Sequence, residues 1–160
     1  MNENKILAEK TIKALKKNNM NAFYLDKKEE VVHFVEKMLS KGSTVTTGGS
    51  MTLAECGVME LLRSGEYNFL DRSKAEDIKK FFRDSFSADY YLCSSNAVTE
   101  NGELYNVDGN SNRVAAICYG PEKIIMVVGI NKIVKNLDEA AARVKEIAAP
   151  LNCKRLDCRS

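Results

Sequence analysis

The sequence predicts an α/β fold, a three-layer sandwich whose mainly parallel, twisted sheet carries a β-hairpin insert. Amphipathic helical stretches alternate with short apolar or β-branched stretches along most of the 160 residues, which is the order of helices and strands in a parallel sheet. The run K-I-I-M-V-V at residues 123–128 is continuously apolar after Lys123, as in strands buried on both faces. Asn101-Gly102 is a strong two-residue hairpin signal between residues 97–99 and 104–106.

Six stretches have the apolar spacing of amphipathic helices. Ser73 is expected to open the fourth of them, because Glu76 follows three residues later in the pattern of a capping box. Pro150 is expected to end the last one, since proline cannot continue the hydrogen-bond ladder of a helix interior. The predicted helices cover residues 3–18, 27–39, 52–62, 73–86, 112–119 and 137–148.

The strands are expected between these helices, where β-branched and aromatic residues are concentrated. S-T-V-T-T at residues 43–47 is the clearest of them, and it leads directly into two glycines. In a sheet of this class, ligands collect at the carboxyl ends of the strands. The predicted strands cover residues 21–25, 43–47, 67–70, 89–93, 97–99, 104–106 and 123–128.

Length and composition limit the number of domains, the classes of partner and the location of the protein. We expect one α/β domain at residues 1–150 and a cysteine-containing tail at residues 151–160. The net charge of +2, from 24 basic and 22 acidic residues, does not favour nucleic acid or an anionic membrane surface. Apolar runs are far shorter than the roughly 20 residues that span a bilayer. No charged-then-apolar leader opens the sequence, so a cytoplasmic location is expected.

The cysteines predict neither disulfides nor a complete metal site. Five of them, an odd number, suggest unpaired thiols in a reducing compartment. Cys153 and Cys158 form a C-x₄-C pair in the tail, which is short of the four ligands of a zinc or iron–sulfur site. We therefore expect no metal and no cofactor, unless a longer tail or another chain completes the ligand set.

The loop after the strand at residues 43–47 is the first candidate site. The candidates run from the last residue of this strand to the first residue of the next helix: Thr47, Gly48, Gly49, Ser50 and Thr52. Loop amides and a helix N-terminus in this arrangement can hold an anion. The alternative is a tight strand-to-helix turn in which Ser50 only caps the helix.

A second polar loop follows the strand at residues 89–93. Ser94, Ser95 and Asn96 stand just past its carboxyl end, as Gly48 does for the earlier strand. Both loops follow strand ends, so we expect them to contribute to one pocket.

The turn that precedes the helix at residues 112–119 supplies further ligand-holding candidates. Asp108, Gly109, Asn110, Asn112 and Arg113 are polar or small residues. Arg113 can bind a carboxylate or phosphate through two parallel hydrogen bonds. The equally plausible alternative is a structural ion pair between Arg113 and Asp108 across the turn.

These motifs resemble those of the LUD-domain (lactate utilisation) family. The matching pieces cover essentially the whole chain, and the resemblance implies a fold similar to ribose-5-phosphate isomerase, glucosamine-phosphate deaminase and the CoA transferases. It also implies a place in bacterial oxidation of L-lactate, beside iron–sulfur or flavin oxidoreductase subunits. The pieces are T-T-G-G-S-M-T-L at 46–53, S-S-N-A-V-T-E-N-G-E-L at 94–104, V-D-G-N-S-N-R-V-A-A at 107–116, Gly120-Pro121, and V-V-G-I-N-K-I-V at 127–134.

Within that resemblance, Asn96 favours binding over catalysis. Sugar-phosphate isomerases of similar architecture place an aspartate at the equivalent position, whereas an asparagine amide does not transfer protons near neutral pH. The leading hypothesis is an accessory or ligand-binding protein of lactate or organic-acid oxidation that holds a small anionic metabolite. One alternative is an isomerase- or CoA-transferase-type enzyme using Glu100 or Glu103, and another is an interaction module for a redox partner. A homo-oligomer is also compatible with the sequence.

Overall fold

The computed structural model describes residues 3–157 and confirms the predicted α/β three-layer sandwich. Its helices and strands fall into two compact units, which are taken in turn below. The helices are α1 (Glu3–Lys17), α2 (Glu29–Met38), α3 (Met51–Glu55), α4 (Val58–Leu62), α5 (Ile78–Asp84), α6 (Asn112–Tyr119), α7 (Leu137–Arg143) and α8 (Ala149–Leu156). The strands are β1 (Thr44–Thr47), β2 (Asn68–Leu70), β3 (Tyr90–Cys93), β4 (Ala97–Thr99), β5 (Leu104–Tyr105), β6 (Lys123–Met126) and β7 (Ile133–Val134).

The four-stranded unit, Leu25–Ser94 with Asp108–Val128, contains a wholly parallel sheet in the order β2-β1-β3-β6. In this sheet Val45 pairs with Tyr90, and Leu92 pairs with Ile125. All four residues of β3 are buried, as expected for a central strand with neighbours on both sides. Strand β6 takes its predicted place in the parallel sheet, but it is an edge strand in which only Ile125 is buried, and not a strand buried on both faces.

Side chains alternate between the two faces of this sheet and create its three layers. Val45, Leu92 and Ile125 belong to a core cluster with residues of α2, α3 and α4. Tyr91 and Cys93 point to the opposite face and pack with Ala116 of α6. Fully burying an aliphatic side chain contributes about 1.5–3 kcal/mol, so each face has its own source of stability.

The three-stranded unit brings together α1, Ser95–Val107 and the segment that begins at Gly129. Its sheet has the order β5-β4-β7, in which β4 pairs antiparallel with β5 and parallel with β7. The β4–β5 pair confirms the predicted hairpin, and Gly102 in its loop has a φ of 84°. Strand β7, only two residues long, was not predicted, because so short a stretch carries no alternation to detect.

Helix α1 contacts the loop of this hairpin. Asn18 Nδ2 donates to the backbone oxygens of Asn101 at 3.2 Å and Gly102 at 3.0 Å. Lys10 forms an ion pair with Glu100. The hairpin loop is thus bound by a helix distant in sequence.

Two helix predictions need correction in the four-stranded unit. Residues 52–62 form two short helices instead of one, because Gly57 adopts a φ of 74° between α3 and α4. Ser73 does not open a helix over 73–86. Asp71 caps a 3₁₀ turn at Arg72–Lys74, and Asp77 caps α5 by accepting hydrogen bonds from two amides. An aspartate caps each of the two observed helix N-termini. It is a better cap than Ser73, because its negative charge also interacts favourably with the helix dipole.

The expected helix end at Pro150 is wrong. A π-helical segment, Val144–Ala148, follows α7 and leads directly into α8, with Pro150 in the first turn of α8. Pro150 follows a π-helical segment, in which the α-helical hydrogen-bond ladder is already interrupted, so the missing proline N–H is tolerated there. The strand predicted at residues 21–25 is wrong as well, since these residues are described but are not paired in a sheet. Within the described part of the chain, no helix has both the length and the apolar character needed to cross a membrane.

Candidate functional site

The glycine loop of the four-stranded unit begins where β1 ends. The amide of Gly48 donates to the Leu92 carbonyl at 2.9 Å and so continues the pairing of β1 with β3. Ser50 Oγ accepts a hydrogen bond from the Leu53 amide at 3.3 Å, so Ser50 caps α3. Thr52 follows as a half-buried residue of α3. The capping role proposed for Ser50 from the sequence is therefore present, and α3, with five residues, is a short helix.

Gly48 lies unusually close to two polar side chains. A Cβ atom placed on it would be 2.7 Å from the Tyr91 hydroxyl oxygen and 3.2 Å from Arg113 Cδ. Both distances are shorter than ordinary carbon contacts of about 3.5–4.0 Å. Glycine is therefore required here for close packing, and its absent side chain brings backbone, hydroxyl and arginine together.

A small cavity opens beside Gly48 within the same unit. The volume in which the centre of a water molecule fits is about 20 Å³, so the cavity can hold one water-sized group. Four of the residues predicted from the sequence contribute to its wall, together with three aromatic residues, one arginine, one serine and one alanine. The lining residues are Thr47, Gly48, Gly49, Arg72, Phe81, Phe82, Ser85, Tyr91, Asn112 and Ala116.

Tyr91 is the most informative member of this wall. Only 3% of it is exposed, and its hydroxyl has no hydrogen-bond partner among the described residues. Burial raises the pKa of Tyr91 well above its ordinary value, so the hydroxyl stays protonated near neutral pH. Every buried side-chain oxygen of the described residues has a partner, so the Tyr91 hydroxyl is accessible from the cavity and can donate to a group there.

Two arginines surround that hydroxyl. Burial, Cys93 and Asp108 raise the pKa of Tyr91, whereas Arg113 and Arg72 each act electrostatically to lower it. Arg113 Nη1 donates to the Ser94 carbonyl at 3.2 Å, which fixes its guanidinium. The Arg72 guanidinium lies 5.2 Å from the centre of the Phe82 ring in a cation–π contact. Two guanidinium groups therefore act on the hydroxyl that opens to the cavity, and Arg72 itself belongs to the cavity wall.

Asp108 organises the turn before α6. Its Oδ2 accepts hydrogen bonds from the amides of Arg113 at 2.6 Å and Val114 at 3.2 Å, and its Oδ1 accepts from the Asn110 amide at 3.3 Å. Asp108 thus contacts the Arg113 backbone and supplies a negative charge at the start of α6. Gly109 and Asn110 are exposed residues of this turn. This geometry gives Asp108 a structural role in positioning Asn112 and Arg113.

Ser95 and Asn96 belong to the three-stranded unit and make contacts inside it. Ser95 Oγ donates to the Ala97 carbonyl at 2.7 Å, and Asn96 Oδ1 accepts from the Val107 amide at 3.0 Å. Arg143 Nη1 donates to the Asn96 carbonyl at 2.5 Å. Burial lowers the pKa of Arg143, although the guanidinium remains charged. Arg143, which the sequence did not suggest, holds the backbone of this loop.

The two carboxylates considered for catalysis have partners within the hairpin region. Glu100 is paired with Lys10, and its side chain is only 19% exposed. Glu103 accepts a hydrogen bond from the Thr99 hydroxyl, while the Glu103 amide donates to Thr99 Oγ1 at 3.1 Å. Both carboxylates therefore contribute to hairpin stability.

The structure offers no metal site among the residues it describes. Groups of three or more His, Cys, Asp or Glu side chains in ligating positions are absent from residues 3–157. Cys153 is half-buried on α8, and Cys158 lies outside the described residues.

The residues missed by the sequence analysis had weak signals. Tyr91 stands in D-Y-Y-L-C, where strand alternation places it on the opposite face from Tyr90 and Leu92. Arg72 follows the carboxyl end of β2 by two residues, the position at which ligand-binding groups collect in parallel sheets. The helical spacing of Phe82 predicted only a core residue and gave no sign of a place in a cavity wall.

The parallel sheet, its helical layers and the cationic cavity define a class: an α/β sandwich protein with a candidate anion-recognition site next to the carboxyl end of β1. The family model for the LUD domain matches residues 8–160, nearly the whole chain. The chain therefore belongs to the LUD domain family, which indicates a role in lactate utilisation. The comparison with curated proteins finds no match.

Proposed function

We propose that this protein is an accessory, ligand-binding protein of lactate or organic-acid oxidation in the bacterial cytoplasm. Its ligand would be a small anionic metabolite held beside Gly48. The observation that carries the proposal is the Tyr91 hydroxyl, which is protonated, has no hydrogen-bond partner among the described residues, and is the part of this otherwise buried residue that opens to the cavity. The family membership supplies the metabolic context.

The chemical character of the wall supports recognition in preference to catalysis. Tyr91, Asn112 and Arg72 supply hydrogen-bond donors, and Arg113 adds positive charge. None of the described residues that line the cavity is Asp, Glu or His, so a general base is missing from its wall. Donors and cations without a base suit the binding of an anion.

Binding is tested by calorimetric titration of the protein with L-lactate, pyruvate, a sugar phosphate and CoA. We expect at least one of the small anions to bind. Tyr91→Phe should raise its Kd about twofold to tenfold, because one net hydrogen bond contributes about 0.5–1.5 kcal/mol.

Tyr90→Phe is the matched control. Tyr90 is the adjacent residue of β3, but it lies on the opposite face, where its hydroxyl is 3.1 Å from Ser40 Oγ. The control should keep the wild-type Kd. Failure of all four compounds to bind would refute the proposed function. Equal Kd values for wild type and Tyr91→Phe would show that the ligand does not bind in the cavity beside Gly48.

We further propose that the protein works beside iron–sulfur or flavin oxidoreductase subunits, as the family context suggests. Exposed apolar side chains on the last helical stretch, Ile147 at 47% and Leu151 at 63%, support a protein contact there. Co-expression with such subunits should give a complex that co-purifies, and deletion of residues 151–160 should weaken it. Co-purification that is unaffected by the deletion would contradict this role of the tail.

A further inference from the structure

We propose that Arg72 is the carboxylate-binding residue of the Gly48 cavity and that it must leave Phe82 for the ligand to enter. This inference rests on the proposed function and identifies the ligand class as a short monocarboxylate with a second acceptor oxygen. The carboxylate would bind to Arg72, and the second oxygen would accept from the Tyr91 hydroxyl.

The cavity must widen before such a ligand fits. Its present 20 Å³ holds a water-sized group, whereas a three-carbon acid is several times larger than water. Thr47 and Tyr91 are held in strands, where they pair with Leu92 and Ile124, respectively. Arg72 is exposed and lies in the short Arg72–Lys74 turn. Among these wall residues, Arg72 is the one whose side chain can move without breaking the sheet.

Arg72 also has an unused capacity to bind an anion. Its contact in the structure is with the Phe82 ring, and no described carboxylate pairs with its guanidinium. The adjacent Asp71 is bound to Arg63, whose Nε lies 2.9 Å from Asp71 Oδ2. A ligand carboxylate would offer two parallel charge-assisted hydrogen bonds, which are stronger than an exposed cation–π contact.

The rest of the wall suits the remainder of a short organic acid. Phe81 and Phe82 form an edge-to-face pair with ring centres 5.8 Å apart, and they give the cavity an apolar side. Tyr91 and Asn112 give it donors on the polar side. An acid with a small alkyl group and one hydroxyl or carbonyl oxygen matches this division.

The test compares Arg72→Gln and Arg72→Lys with wild type in titrations against L-lactate, pyruvate and inorganic phosphate. Arg72→Gln should raise the Kd for the carboxylates by about tenfold to a hundredfold, the range expected for a hydrogen bond to a charged group. Arg72→Lys should be intermediate, since it keeps the charge but loses the two-pronged geometry. Lys74→Gln, in the same exposed turn, is the charge-matched control and should keep the wild-type Kd.

Two further measurements make the result decisive. Phe82→Leu removes the ring under Arg72, so lactate should associate faster with this variant in stopped-flow measurements. The Arg72 Nε–H resonance in wild-type protein should shift on titration with the carboxylate, a readout that does not depend on any variant folding. Phosphate that binds as well as lactate would overturn the assignment to monocarboxylates.

The outcomes separate the two proposals. Wild-type protein that binds none of L-lactate, pyruvate, the sugar phosphate and CoA refutes the proposed function and this inference together, whereas binding of a phosphate compound but of neither acid overturns only this inference. Wild-type binding that Tyr91→Phe weakens and Arg72→Gln leaves unchanged, with an unshifted Arg72 resonance, overturns only the role of Arg72.

Discussion

At the scale of single residues, the candidate site depends on the absence of a side chain at Gly48. Gly48 has no Cβ, and for this reason the Tyr91 hydroxyl and the Arg113 side chain can approach the backbone of the loop. Burial raises the pKa of Tyr91 further above its ordinary value, while Arg113 and Arg72 act on the same group in the opposite direction. Packing and electrostatics therefore act on the same hydroxyl.

We predict that Gly48→Ala destabilises the fold and closes the cavity. The new methyl group would meet Tyr91 Oη at 2.7 Å, and the tyrosine ring, held on a central strand, cannot retreat easily. Overpacking of this kind costs about 1–3 kcal/mol, which urea denaturation measures. Gly109→Ala is the matched control, because nothing lies within 4 Å of its added Cβ. Equal unfolding free energies for the two variants would contradict the close packing at Gly48.

We also predict a pH dependence that arises from Asp71. Burial acts to raise the pKa of this carboxyl, but hydrogen bonds from Ser73 and Arg63 outweigh it and lower the pKa below the ordinary 3.8. A carboxyl with a depressed folded-state pKa stabilises the fold above its unfolded pKa, and this stabilisation is lost as the pH falls through the folded value.

Urea unfolding between pH 5 and pH 2 tests this prediction, because Asp71→Asn should lose less stability than wild type below about pH 4. Asp26→Asn, a change at an exposed carboxyl, should follow the wild-type curve. A wild-type curve that coincides with that of Asp71→Asn over this range would contradict the prediction.

At the scale of elements, local signals located most helices and strands but misjudged several ends. The hairpin was predicted from two residues, because Asn-Gly has a strong local conformational preference. The start of α5 was misplaced since Ser73 and Asp77 both offer caps, and only the path of the chain selects between them. Pro150 was interpreted as a stop, whereas a π-helical segment lets the helix continue through it.

We predict that Gly102→Ala, a change in the hairpin loop, destabilises the fold. In Gly102→Ala, the methyl group would lie 2.7 Å from the Ala14 carbonyl carbon, on a backbone with a φ of 84°. The clash and the left-handed conformation together should cost about 2–4 kcal/mol. Gly65→Ala isolates the backbone part, because Gly65 has a φ of 93° but no atom within 4 Å of an added Cβ. The thermal unfolding midpoint of Gly102→Ala should be well below that of Gly65→Ala. Equal midpoints would refute the clash with α1.

At the scale of the whole molecule, each unit is assembled from segments that are far apart in sequence. The four-stranded unit joins Leu25–Ser94 to Asp108–Val128, and the hairpin between them belongs to the other unit. The sheet of that unit depends on β7, which pairs with β4 across more than thirty residues of chain. The sequence suggested a single sheet with an insert, since no local pattern distinguishes one sheet from two.

This organisation predicts the effect of removing α1. Deletion of residues 1–24 should speed hydrogen exchange at the Thr99 and Gly102 amides about tenfold or more, because the two hydrogen bonds from Asn18 to the loop are lost. The Gly48 and Val127 amides bond within the four-stranded unit and should exchange at wild-type rates. Unchanged protection in the hairpin would show that α1 does not stabilise it.

The sequence by itself determined the fold class, the hairpin and the family resemblance, because periodic apolar patterns, turn residues and contiguous motifs are local properties. It also identified Thr47, Gly48, Gly49 and Asn112, which line the cavity. Only the tertiary structure decided that Tyr91 and Arg72 join them and that Asp108 bonds to the α6 amides. These relations depend on which face of a strand turns toward which helix, and that is fixed by contacts between residues distant in sequence.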